Sequence, residues 1–356
     1  MKTSLRPAAT PSPQRRSRPR VNDRPYPKTR PSGQHPRRQF LRLAVGAAAL
    51  PGNWRIAMAQ SYPTRPVRIV VGYPAGGGVD AAARLVAEAM SRSLGQRVYV
   101  ENRSGANGII GTEVVAKSAS DGHTMLVTDQ DVMVNPHVYR TATDPLNDLL
   151  PVIQLSRLPN VLAVHPSLGV RSLAELTVLA KQQPGLRYAT GGGLGTQHMT
   201  VQWFARLAGV TLEHVPYRGG GDAISDLLAG HVKMGAVGST PLLPHYQAGA
   251  LRLPAQTMET RSLGLPDVPT FQEAGFKDLV ISQWMGVFVP ARTPVAIVDR
   301  LNGEIGKALT DPVVRQRFLE ADQEPVGGAS PEFARFVHEE YEKYARLAKE
   351  LNIKAE

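Results

Sequence analysis

The sequence predicts an α/β protein of two successive parts, each a parallel-rich sheet flanked by helices, and three observations carry that prediction. Short β-branched runs alternate with amphipathic stretches of helical length, the pattern of parallel strands joined by right-handed crossovers. The alternation occurs as two series along the chain. In each series one strand passes through a run of glycines directly into a helix start.

The first of these devices is VRIVVGYPAGGGVDAAARLVAEAMSRSL, beginning at Val67. Val67, Ile69, Val70 and Val71 predict a strand buried on both faces. Tyr73 leaves the strand, and Gly76, Gly77 and Gly78 permit a turn without a Cβ penalty. Ala82, Leu85, Val86, Ala89, Met90 and Leu94 then form one apolar helical stripe opposite Arg84, Glu88 and Arg92. A helix start offers unpaired amides and partial positive charge, so this loop suits a carboxylate or phosphate. Packing of strand against helix explains the same glycines without a ligand, and Asp80 then serves only to cap or begin the helix. No Lys-Ser or Lys-Thr follows, and the dinucleotide spacing is missing.

The chain before this point reads as a leader. Residues 1–36 are dominated by Pro, Arg, Ser and Thr and cannot bury enough apolar area to offset ordering, so a disordered extension is expected. Arg37-Arg38-Gln39-Phe40-Leu41, a weakly apolar Ala- and Gly-rich run and Ala57-Met58-Ala59 follow in the order of a twin-arginine export signal over residues 37–59, cut after Ala59. The expected location is the periplasm. A basic tail for nucleic acid or membrane is the competing reading. Residues 1–60 hold 13 of the 41 Lys and Arg but one of the 30 Asp and Glu, leaving 28 bases and 29 acids, so the net charge of +11 belongs to the leader. A near-neutral remainder has no electrostatic footprint for nucleic acid.

After the first device, strands are expected at 98–100 and 124–128 with a helix at 109–118 between them. Segments 146–151 and 152–155 lead into a buried strand at 160–164. The second series places helices at 172–182, 196–208 and 222–229 and strands at 186–189, 212–215 and 233–237. A further strand at 284–289 precedes a mostly helical tail, in which Asp311-Pro312 and Ser330-Pro331 mark helix starts. The second series carries its own Gly loop, Gly191-Gly192-Gly193-Leu194-Gly195, between Thr190 and the helix opening Thr196-Gln197-His198. Two such helix ends facing across a cleft would clamp an anion, with Thr190, Thr196 and Gln197 orienting it. His198 is expected as a hydrogen bonder at the helix start, since no second His stands four residues away.

The segments YPTRPVRIVVGYPAGGGVD, GQRVYVENRSGANGIIGTEVVAKSASDGHT, NPHVY, PNVLAVHPS, HVPYRGGGDAISDLLAGHV, LPDVPTFQEAG and EPVGGASPEFARFV together resemble the Bug family of extracytoplasmic solute receptors, the binding components of tripartite tricarboxylate transporters. The resemblance spans residues 62–356. It implies a two-domain periplasmic-binding-protein fold, type II-like, with a ligand cleft between a discontinuous domain 1 (60–164 and 285–356) and domain 2 (165–284). It implies that the loop from Tyr73 to Asp80, with Gly76, Gly77 and Gly78, holds a ligand carboxylate. The facing loop at 190–198, with Thr190, Gly192, Gly193, Thr196 and Gln197, is implied as the second wall, and Ser239 with Thr240, and Tyr217, as further lining.

Thr128-Asp129-Gln130-Asp131 departs from the small hydroxyl and Gly residues common in that family at this point. Carboxylates at Asp129 and Asp131 would oppose a dicarboxylate unless they face solvent or meet a cationic group. An amino-acid-like solute therefore stands beside a simple small carboxylate as the expected ligand. Membrane transporter subunits are the implied partner, a sensor kinase the alternative, and a monomer the expected state.

Features of other classes are missing from the sequence. Zero cysteines exclude disulfides, thiolate catalysis and Cys-ligated zinc. There is no G-x-S-x-G elbow, and His338-Glu339-Glu340 lacks the second His of a zinc-protease helix. Neither a cofactor nor a resident metal is expected, and no run of eighteen apolar residues occurs. The expectation is a binding protein that closes on its solute rather than an enzyme.

Overall fold

The computed structural model describes residues 62–355; the extension 1–36, the signal 37–59 and the cleavage after Ala59 lie outside the described residues. The first strand, β1 (Val67–Val71), buries Val67, Ile69, Val70 and Val71 completely, each apolar side chain contributing roughly 1.5–3 kcal/mol. It feeds α1 (Gly78–Leu94), which stops where Gly95 turns left-handed at φ 63°. There follow β2 (Val98–Asn102), α2 (Ile109–Ala116), β3 (Thr124–Asp129), α3 (Asp131–Val138) and the one-turn α4 (Pro145–Asp148).

The next strand, β4 (Leu149–Val164), is a single element of 16 residues. The prolines at 151 and 159 suggest separate segments in sequence, yet the strand runs through both. Its ladder with β9 (Ser282–Pro290) slips register between Pro151 and Ile153 and again between Gln154 and Ser156. The first slip lies at Pro151, which cannot donate, whereas Pro159 keeps regular register opposite Ser282 at the end of the ladder.

The second series is α5 (Leu173–Gln182), β5 (Leu186–Thr190), α6 (Thr196–Ala208), β6 (Leu212–Pro216), α7 (Gly220–Leu228), β7 (Met234–Gly238), α8 (Ser239–Gln247) and β8 (Arg252–Gln256). The tail after β9 is α9 (Val295–Thr310), α10 (Pro312–Glu320), β10 (Glu324–Gly327) and α11 (Ser330–Glu350). Asp311 starts α10 by accepting from the amides of Val313 and Val314 at 2.9 and 3.0 Å.

Strand order is β2-β1-β3-β9-β4-β7-β5-β6, with β8 and β10 also on β4. The outer pairs β1–β2, β1–β3, β5–β6 and β5–β7 are parallel, as the crossover helices require. The middle of the sheet is not: β9 runs antiparallel to β3 and β4, and β4 antiparallel to β7. Residues 149–159 of β4 pair with β9, whereas residues 160–164 pair with β7, so one strand carries both half-sheets. Separate cores pack on the two halves, one around Ile69, Met90, Val287 and Phe318, the other around Leu162, Tyr188, Phe204 and Phe271. The α3, α8, β8 and β10 elements had no distinct signal in the sequence. Among the described residues no helix is long and apolar enough to cross a membrane.

Candidate functional site

A cleft of about 350 Å³ opens where the strands of both halves end. Four helices begin at it. Gly77, Gly219 and Gly238 are the N-caps of α1, α7 and α8, and none supplies a side-chain cap. These starts lie on the cleft wall at Gly77–Gly78, Gly219–Gly220–Gly221 and Gly238–Thr240, where a helix leaves its first amides without intrahelical partners. Asp129, Asp131 and Asp222 line the cleft and no Lys, Arg or His does, so what this wall can offer an anion is backbone amides and helix dipoles. Close approach requires the glycines: a Cβ on Gly191 would stand 2.6 Å from the Gly220 nitrogen.

The fourth helix end is already occupied. Asp131 Oδ1 accepts from the Thr196 amide at 2.9 Å and the Thr196 hydroxyl at 3.1 Å, while Oδ2 accepts from Asn107 Nδ2 at 3.0 Å. A carboxylate of the protein thus fills the N-terminus of α6, the end that the sequence offered to a ligand. The opposing donors come instead from α7 and α8.

Asp129 stands beside it on the cleft wall. Its Oδ1 accepts from the Tyr73 hydroxyl at 2.6 Å and the Asp131 amide at 3.2 Å. Asp129 and Asp131 are 6% and 7% exposed, which removes the solvent-facing alternative for both. Burial, then the charge of Asp131, pushes the Asp129 carboxyl up to about 8 against the pull of the Tyr73 hydrogen bond. Burial also raises Asp131, opposed by its donors on Thr196 and Asn107.

Of the residues expected at the site, Tyr73, Gly76, Gly77, Gly78, Asp129, Asp131, Thr190, Gly192, Gly193, Gln197 and Thr240 are brought together on the cleft wall. Asp80, Thr196, Tyr217 and Ser239 stand behind it. Asp80 shapes the first loop from below, accepting from Gly76 N at 2.9 Å, Arg84 Nε at 2.9 Å and Asn102 Nδ2 at 3.0 Å. Burial pushes its carboxyl up, but these donors outweigh burial and hold it below the usual range. The Tyr217 hydroxyl donates to Asp226 at 2.6 Å, and Ser239 is buried with its hydroxyl 3.5 Å from the Asp322 carbonyl. Thr240 accepts from Gln323 Nε2 at 3.2 Å, and that nitrogen also donates to the Gly78 carbonyl at 3.1 Å, linking α8 to the first loop.

The second loop rests on a buried aromatic stack. Thr190 donates to the Gly192 carbonyl at 2.7 Å and meets His214 Nε2 at 2.7 Å, so His214 must be the donor in that second contact. The Tyr188 hydroxyl accepts from Gln202 Nε2 and is hydrogen-bonded to His198 Nδ1 at 2.8 Å, which is the hydrogen-bonding role expected of His198.

Sequence reasoning missed Asn107, Gln283, Met285 and the third glycine run. Gly219-Gly220-Gly221-Asp222 repeats the Gly76-Gly77-Gly78-x-Asp80 device and was findable by that similarity. Gln283 and Met285 carry no local signal, because only the pairing of β9 with β3 at Met285 and with β4 at Gln283 brings them to the site.

The model of the tripartite tricarboxylate transporter family receptor matches residues 82–353. A curated relative, the UPF0065 protein in the tcbD-tcbE intergenic region of Pseudomonas sp. (strain P51), is 37% identical over 90% of this chain and 96% of its own. Among solved structures, R. palustris Rpa4515 with adipate superposes with a TM-score of 0.79 at 34% identity, covering 82% of this chain and 99% of that one. MatC (Rpa3494) from Rhodopseudomonas palustris with bound malate does so with a TM-score of 0.75 at 28% identity, covering 80% and 99%.

Proposed function

The chain belongs to the tripartite tricarboxylate transporter family of receptors, and from that premise we propose that it captures a small carboxylated solute in the cleft and presents it to a membrane transporter. The observation that carries this reading is the convergence of three helix N-termini without side-chain caps on a cleft that has no cationic side chain. Backbone amides so arranged bind a carboxylate directionally and are already oriented before it arrives. Adipate and malate in the two related structures are anions of the class that such a cleft suits.

In this reading residues 60–164 with 285–356 form one domain and residues 165–284 the other. Closure bends the chain where β4 and β9 cross between them. Tyr73, Gly76–Gly78, Thr190, Gly192, Gly193, Gln197 and Thr240 contact the solute, while Asp80, Thr196, Tyr217 and Ser239 hold the loops behind them. Contacts from both walls exist only in the closed form, so the solute shifts the population toward it, and that form is what the membrane partner recognises. No bond of the solute is broken. Export through the segment 37–59, with cleavage after Ala59, delivers the receptor to the periplasm as a monomer.

Thermal-shift and calorimetric titration with di- and tricarboxylates, aromatic acids and amino acids tests the proposal. A solute at about a hundred times its dissociation constant stabilises the protein by roughly 2.7 kcal/mol, a rise of several degrees. Intact-mass measurement of the exported protein is expected to give a chain beginning at Gln60; retention of residues 1–36 would overturn the export step.

A further inference from the structure

Three polar side chains on the cleft wall have an atom without a partner, and in two of them that atom is buried. Asp129 commits Oδ1 to Tyr73 and to the Asp131 amide, and among the described residues nothing donates to its Oδ2. Gln283, only 5% exposed, lies two residues along β9 from Met285, the register partner of Asp129; no hydrogen bond fixes which way its amide faces, and the inner atom is buried without a partner. Asn107 Oδ1 is buried and unpartnered in the same way. Its amide orientation is set by Nδ2, which donates to Asp131 Oδ2 at 3.0 Å and Asn135 Oδ1 at 2.9 Å; a flip would place oxygen against both.

The α1, α7 and α8 ends have the complementary need, since they offer donors and ask for an anion. A plain dicarboxylate answers the helix ends, but it leaves the acceptors unpaired and sets negative charge near two buried acids. An ammonium group brings three N–H donors, and its charge draws off the proton that burial keeps on Asp129 in the empty cleft, leaving the carboxylate as its counter-ion. We infer that the solute carries an ammonium as well as a carboxylate, the carboxylate at the open helix ends and the ammonium at Asp129. This rests on the receptor reading above and narrows it to amine-bearing acids. Asp131 does not share the task, because both its oxygens are already engaged by Thr196 and Asn107.

Calorimetry with matched pairs tests the inference: succinate, glutarate and adipate, each against its own 2-amino derivative, titrated into the purified protein. At least one amino derivative is expected to bind about tenfold or more tighter than its parent acid, the scale of a hydrogen-bonded charge in a dry site. Asp129→Asn, which can still accept from Tyr73, is expected to cancel that preference. Equal or tighter binding of the parent acids by the wild type overturns the inference and leaves the receptor reading standing. So does an amine preference that survives Asp129→Asn. If neither member of any pair binds a protein that melts cooperatively, the inference is overturned, while the receptor reading is decided by the wider panel of tricarboxylates, aromatic acids and other amino acids. Should the variant fail to fold, the wild-type pairs decide alone.

Discussion

Asp131 of α3 caps α6 from the other half of the sheet, its carboxylate accepting from both the amide and the hydroxyl of Thr196 at 2.9 and 3.1 Å. The two residues are far apart in sequence and meet only across the cleft. An anion site that local sequence leaves open is therefore closed by the protein's own side chain, and the positive end of α6 is spent on holding the two halves together.

Asp131→Ala removes the acceptor of three donors at once, namely Thr196 N, Thr196 Oγ1 and Asn107 Nδ2. Unpaired buried donors cost about 1–3 kcal/mol each at most, with partial relief where water enters the cleft. Urea denaturation is expected to show a loss of a few kcal/mol in this range. An unchanged midpoint would mean that the contact does not stabilise the protein.

Gly77→Asp is expected to abolish solute binding and leave the fold intact. Gly77 sits at φ −81°, open to any residue, and a Cβ there meets only the Pro74 carbonyl at 3.8 Å. An Asp at this N-cap would accept from the same α1 amides that the solute needs, adding a few tenths of a kcal/mol to stability while competing for the site. Retained affinity in calorimetry would exclude the α1 end as a binding element.

Stability is expected to fall as pH rises from about 4 toward 8 by the part due to Asp129. Its folded carboxyl titrates at about 8, against an ordinary 3.8, so between those values the native state holds a proton that the unfolded state has released. The unfolded state binds fewer protons there, and the linkage slope is negative. Asp129→Asn should flatten this limb in melting curves taken at pH 5, 6.5 and 8. A variant whose curve parallels the wild type would show that Asp129 ionises normally.

The His pair acts in the opposite sense on the acid side. Burial, then the charge of His214, lowers His198 to about 3, and burial lowers His214 to about 4. Below an ordinary 6.5 the unfolded chain takes protons that the native stack refuses, so stability is lost as pH falls from about 6.5 toward 4. His214 already donates from Nε2 to Thr190 on the cleft wall, so protonation at Nδ1 leaves that contact in place. His214→Asn should shallow the acid limb of the melting profile; an unaltered limb would assign that limb to carboxylates alone.

Hydrophobic period, glycine runs and helix caps are local features, and by them the sequence alone determined the strand at β1, the extents of α1 and α6, the two Gly-loop devices and the separation of a basic leader from a neutral body. The resemblance in its motifs supplied the receptor family and the loops of the cleft. Only the tertiary structure decided which of those helix ends stay open. Asp131 fills α6 while α1, α7 and α8 remain free, because hydrogen-bond partners are chosen by proximity between halves and not by spacing along the chain. The same reason hid Gln283 and Asn107, placed by strand register and loop packing, and turned Asp129 from a surface candidate into a buried acid against Tyr73.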